Sequence, residues 1–409
     1  MSQPRVMSEP SANARALGRS AERLYTFGFS AILTMAIAVN TYSEALEIAR
    51  LATVLAALVL VQAVAFRRLL FSRELGLYSA FFGYMVIELL WTPDVGLSVN
   101  TMAPAFNFIL ILILFSTLAA YHDIKALLLG ALCGLAAGAA GYTLTQGFPF
   151  SYPPDFSYNA IAGMYLFGLL VATMLSCYTR ASLLLIPLQL LFMLLIVATT
   201  SIKTNLGIIL GVTASGTLYF RRFVGVLRRH LILLAVLLAG IAYFVISSDR
   251  LMEKLEKGFD RVTVGVSVLQ AREDQPGYTG YEYRSVWKAQ ALKGAVQNPV
   301  FGFGVEAFRF EFGITSHSTP IDLLYNSGLI GVLLFYGLFV SVTWRLFTAR
   351  RSNMGSIAVV IFGALVCYSF ITLSATMHTN TYLAAFFAIA SQLIERYRKY
   401  AMTLGGGAR

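Results

Sequence analysis

Residues 284–331 read RSVWKAQALKGAVQNPVFGFGVEAFRFEFGITSHSTPIDLLYNSGLIG. This is the main water-compatible segment of a chain that otherwise consists of apolar runs. It opens as a basic, amphipathic run, turns at Pro299 and the glycines after it, and reaches His317. It then re-enters an apolar run through the polar start Ser318-Thr319-Pro320-Ile321-Asp322. Its place among the apolar runs decides the fold, because a segment this polar does not cross lipid.

Working outward, apolar runs of about 20 residues, long enough to cross a hydrocarbon core, recur along the chain. They lie at 24–42, 48–66, 75–92, 99–120, 126–144, 159–178, 182–200, 205–220, 231–247, 320–344, 354–374 and 380–394. The 409 residues are 57% hydrophobic and 12% charged, whereas a soluble domain carries roughly 25% charge. The expected class is therefore all-α, a polytopic integral membrane protein with about 12 transmembrane helices. A tail at 1–23 and nine spans across 24–247 precede one large external helical loop at 248–319. Three spans across 320–394 and a tail at 395–409 follow. No cleavable leader is expected, since Met1–Ser20 is polar and the first apolar run has the length of a full span. Cys133, Cys177 and Cys367 all fall inside apolar runs, so neither a disulfide nor a zinc site is expected.

The net charge of +11 is a topology signal. With the N-terminus inside, 20 of the 31 basic residues fall on inner segments, among them Arg67, Arg68, Arg221, Arg222, Arg345 and Arg396. Of the others, only Arg50 and Lys203 lie outside the long loop. Basic residues collect on the cytoplasmic side of short loops. Both termini are thus expected in the cytoplasm and the loop outside, and the charge reads as no nucleic-acid footprint.

Within the loop, 249–274 alternates charge as a solvated helix does, and a second helix is predicted over 281–296. On it Arg284, Trp287, Lys288 and Ala291 share one face. That face presents either a guanidinium for an anion or an interfacial arginine beside a tryptophan anchor. Phe301-Gly302-Phe303-Gly304 lacks the strand and spacing of a phosphate-binding loop, and reads as a turn toward the membrane. His317 precedes a helix start with Pro320 in its first turn, where the helix dipole disfavours imidazolium. It is either a general base or a loop histidine with a local hydrogen bond. Lys203, in Ser201-Ile202-Lys203-Thr204 between two runs, either snorkels or meets an anion. Glu88 lies in an apolar run, as a structural partner or a functional carboxylate. The loop 145–159, TQGFPFSYPPDFSYN, fits an interfacial aromatic belt or a platform for sugar rings.

These residues together resemble the O-antigen ligase and polymerase superfamily of bacterial envelope polysaccharide enzymes. The resemblance is carried by Arg284–Ala291 (RSVWKAQA), by Asn298-Pro299 with Phe301-Gly302-Phe303-Gly304, and by His317 with 323–331 (LLYNSGLIG). It implies transfer of a glycan from an undecaprenyl-diphosphate donor on the periplasmic face of the inner membrane, with no metal or other cofactor. It implies His317 as the base, and Arg284 and Lys203 as diphosphate ligands, with Trp287 and Lys288 in the binding helix. Many members carry Arg where this chain has Lys203, and Asn where it has Ser318. The Ser-x-Lys-Thr element resembles exopolysaccharide polymerase-like members, so the expected acceptor is a further lipid-linked glycan. Transfer to lipid A core by a ligase is the alternative, and a polysaccharide flippase or other transporter is the reading from another class. Other polysaccharide assembly proteins are possible partners beside the lipid bilayer itself.

Overall fold

The computed structural model describes residues 12–40, 70–146, 158–179, 182–199, 201–220, 224, 280–349 and 354–405. Among these the chain is all-helical, with no strand. The elements are α1 (Ala12–Asn40), α2 (Arg73–Glu88), α3 (Val95–Tyr121), α4 (Ile124–Gln146), α5 (Tyr158–Ser176), α6 (Ser182–Ala198) and α7 (Ile202–Leu218). After them come α8 (Gly280–Ala295), α9 (Ala307–Phe312), α10 (Thr319–Thr348), α11 (Ser356–Thr372) and α12 (Thr381–Gly405). Four described helical stretches are long and apolar enough to cross a membrane: Ser20–Val39, Val95–Tyr121, Ile124–Thr145 and Thr319–Thr348. Shorter apolar helices run Ala160–Ser176, Leu184–Ala198 and Ser356–Thr372. The expected spans at 48–66 and 231–247, the charged helix at 249–274 and most of the aromatic loop, 147–157, lie outside the described residues.

Between two apolar helices in lipid, close packing replaces the hydrophobic effect as the source of association, and small residues permit it. α1 and α4 follow that rule. Gly130, Gly134 and Gly138 recur every fourth residue on α4 and meet Ser30, Thr34 and Ala38, spaced the same way on α1. A Cβ at any of the three glycines would overlap the facing helix. The approach also lets Thr34 Oγ1 donate to the Ala131 carbonyl across the interface at 3.1 Å. Gly134→Val should therefore lower stability by about 1–3 kcal/mol, the usual cost of overpacking; thermal unfolding of the purified variant measures it. The pairing of α7 with α11 uses the same device, Gly211 against the Gly363 carbonyl.

The bundle closes around α12, on which every residue from Tyr382 to Ile394 is buried. α3, α5 and α10 pack on it, and α2 lies along α10. At the end predicted to be cytoplasmic, Arg345 of α10 pairs with Glu74 of α2 at 2.8 Å and with Glu395 of α12 at 3.3 Å. It also donates to the Ser391 hydroxyl at 2.8 Å. One turn further along α2, Tyr78 stacks on Phe108 of α3 with ring centroids 3.9 Å apart and donates to the His378 carbonyl at 2.5 Å.

Candidate functional site

The site lies beside Glu88, at the end of α2 away from the Arg345–Glu74 pair, where α10 is broken. Its backbone leaves helical geometry at Gly328, with φ 60° and ψ −162°. A break inside a helix strands carbonyls below it and N–H groups above it. The turn after α8 supplies both sets of partners. Phe303 and Gly304 donate to the Tyr325 and Asn326 carbonyls at 3.0 and 2.7 Å. Pro299 and Val300 carbonyls accept from Leu329 and Ile330 at 2.8 and 3.3 Å. Gly302 reaches this position at φ 69°, and a Cβ there would overlap the Asn326 carbonyl. The predicted return turn is thus a plug for a discontinuous helix, and the apolar run at 320–344 is two helical pieces.

The acidic residues gather round this plug. Glu88 at the end of α2 is fully buried. Its Oε2 accepts from the Ser327 hydroxyl at 3.0 Å, and its Oε1 has no hydrogen-bond partner among the described residues. Glu306 sits at left-handed φ 61° and accepts from Thr101 Oγ1 at 2.8 Å. Burial pushes its pKa up, against the Thr101 hydrogen bond and the charge of Arg309. Asp322, in the first turn of α10, is buried in the field of Glu306 and takes a hydrogen bond from the Ser316 backbone, while the Ser316 hydroxyl donates to the Ser318 carbonyl at 2.8 Å. Sequence reasoning singled out Glu88 and passed over Glu306 and Asp322. The signal for Asp322 was present, since it too is a carboxylate leading into an apolar run.

His317 is half-buried and held between two anchors. Ser316 before it is tied to Asp322. Thr319 after it donates from N and Oγ1 to the Ala375 carbonyl, at 3.2 and 2.6 Å, and its Oγ1 accepts from Met377 N at 2.9 Å. So pinned, His317 adopts φ 52°, a left-handed conformation that few residues other than glycine take up. As the sequence implied, Ser318 is the N-cap of α10 and Pro320 lies in its first turn.

Lys203 enters from α7. Its Nζ donates to the Ser374 carbonyl, at the C-terminal end of α11. That carbonyl belongs to the same 374–377 segment that holds Thr319, so a short hydrogen-bonded path runs from Lys203 to the His317 loop.

The other predicted residues sit on α8. Ala291 is fully buried and Trp287 packs with Phe303 and Phe312 around Phe308 and Tyr325, a small satellite core. Gly294 lies against the Tyr325 ring, and Tyr325 in turn donates to Glu311. The shared face of Trp287 and Ala291 is therefore the face α8 docks with. Lys288 on the next position is half-buried. Arg284 lies on α8 by its backbone, and its side chain falls outside the described residues.

His378, on the same segment that Lys203 grips, is buried between Phe81 and Phe335 with ring centroids 6.2 and 6.4 Å away. Burial lowers its pKa to about 4, so its imidazole is neutral in the folded protein at pH 7. An unfolded histidine takes up a proton below about pH 6.5. Stability from this group is complete above that pH and is lost as pH falls from about 6.5 toward 4, by up to about 1.4 kcal/mol per pH unit. His378→Phe should flatten that part of the unfolding-against-pH curve.

Neither protein-family models nor curated proteins match the chain in sequence, so its chemistry rests on the residues above.

Proposed function

We propose that the chain is a membrane glycosyltransferase that moves a glycan from a lipid diphosphate, of the undecaprenyl type, to an acceptor hydroxyl on the external face. The chain enters the bilayer as a polytopic protein with both termini inside. His317 takes the proton of the attacking hydroxyl. The acceptor oxygen bonds to the anomeric carbon as the bond to the diphosphate oxygen breaks, and the diphosphate leaves with the electron pair. Lys203 and Arg284 stabilise the charge that develops there, an effect that strengthens where water is excluded.

The single observation that supports this most is the hydrogen-bonded path from Lys203 through Ser374 and Ala375 to Thr319, beside His317. It ties a cation for the leaving group to the loop that carries a base for the nucleophile. The acceptor is a second lipid-linked glycan in a polymerase and lipid A core in a ligase. A ladder of lipid-linked products on adding donor alone separates the first from a single adduct formed only with core.

One observation favours a transporter: a buried carboxylate, Glu88, beside a discontinuous helix resembles an ion or substrate site in the membrane. Movement of lipid-linked glycan across vesicles without any new product would select it. Within the enzyme reading, Arg284→Ala should weaken donor use, seen as a raised KM for the lipid diphosphate. Arg284→Lys should restore only part of it, because lysine supplies charge without the bidentate fork.

A further inference from the structure

The sequence puts the 299–304 turn in the aqueous loop, yet its hydrogen bonds run to the interior of α10. Its height can be set from the other end of the bundle. The Arg345–Glu74 pair marks the level where charge meets the predicted inner face. From there α10 rises about 27 Å to Ser327 and α2 rises about 21 Å to Glu88, and those two residues are hydrogen-bonded to each other. A hydrocarbon core is about 30 Å thick. The break in α10, and the turn that fills it, therefore stand at the outer hydrocarbon boundary and not above it.

The side chains that face outward here are apolar. Leu90 is 85% exposed, Phe301 54%, Leu329 49% and Val300 45%. They form one patch with Trp91. Tyr84 donates to the Phe301 carbonyl at 3.0 Å and its ring lies 6.3 Å from that of Trp91, while Leu329 and Ile330 are bonded to the turn itself. A continuous apolar patch of this kind marks contact with a membrane or a partner. Irregular backbone is tolerated at membrane depth only where its polar groups are satisfied within the protein, and the turn and the break satisfy one another.

We propose that the 299–304 turn is a re-entrant element seated in the outer boundary of the bilayer, with Val300, Phe301, Leu329 and Leu90 against acyl chains and Trp91 at the headgroups. The proposal rests on α10 crossing the membrane. Its test is therefore built with internal references. Phe301→Cys, Leu333→Cys and Lys293→Cys are each made in the full chain with Cys133→Ala, Cys177→Ala and Cys367→Ala. Each carries a nitroxide and is reconstituted in phosphatidylcholine–phosphatidylglycerol vesicles. Collisions with oxygen, which concentrates in lipid, are compared with collisions with a water-soluble nickel chelate. Leu333 on α10 is the lipid reference and exposed Lys293 on α8 is the aqueous one. The expected result is that position 301 favours oxygen over nickel several-fold more than position 293 does. A label at 301 that matches 293 while 333 remains in lipid overturns the re-entrant turn. A label at 333 that itself matches 293 removes the span, and the proposal with it. Val300→Cys replaces Phe301→Cys if the latter does not fold.

Discussion

Alanine at His317 should slow glycan transfer by about 10²–10⁴-fold, the range for losing a general base, with little change in membrane insertion or unfolding temperature. The two expectations have separate structural grounds. The imidazole lies on a half-buried loop outside the apolar helices. The loop itself is held by neighbours that the substitution leaves intact, Ser316 on Asp322 and Thr319 on Ala375 and Met377. Thr319→Val makes the complementary case, because it removes the hydroxyl anchor and keeps the imidazole. It should lower turnover less than His317→Ala does. Turnover measured beside thermal unfolding decides the matter. A His317→Ala protein with undiminished transfer would remove His317 from the chemistry.

The second large effect concerns stability. Arg345→Met should destabilise the protein by about 3–5 kcal/mol, because it strands the buried Glu74 carboxylate that the guanidinium now pairs with. Glu74 is fully buried and Arg345 is partly buried, and Ser341 and Ser391 complete the cluster that joins α2, α10 and α12. Most of that cost is the uncompensated charge and not the worth of the pair, so adding Glu74→Gln to Arg345→Met should recover a substantial part. Thermal unfolding of the single and double variants in detergent provides the comparison. A single variant that loses less than about 1 kcal/mol, the worth of an exposed pair, would mean that water reaches this cluster.

Helices were legible in the sequence because an apolar run of span length has few other solutions. The runs at 99–120 and 126–144 lie within α3 and α4, and the helix expected at 281–296 is α8. The count of about twelve spans reaches further than the four helices among the described residues whose length and composition suffice. The break in α10 was hidden, since Asn326-Ser327-Gly328 fits a continuous helix equally well until the 299–304 turn arrives to bond both edges. Arg345 was read for its side of the membrane; its burial with Glu74 depends on α2 and α10 lying together, which no local pattern encodes. At the site, His317 and its helix start were visible in the order of residues. The roles of Asp322, Thr319 and Ser374 were not, because each acts through a contact between distant segments. The face shared by Trp287 and Ala291 was legible from helical periodicity, but not that it docks on Tyr325.

The most direct measurement of the central claim gives purified protein a lipid-diphosphate oligosaccharide and follows the size of the products. Glycan transfer predicts longer lipid-linked species, or a single adduct once lipid A core is added, with both abolished by His317→Ala. Intact donor under both conditions, with the same lipid carried across the bilayer of reconstituted vesicles, would contradict the account and make the chain a transporter.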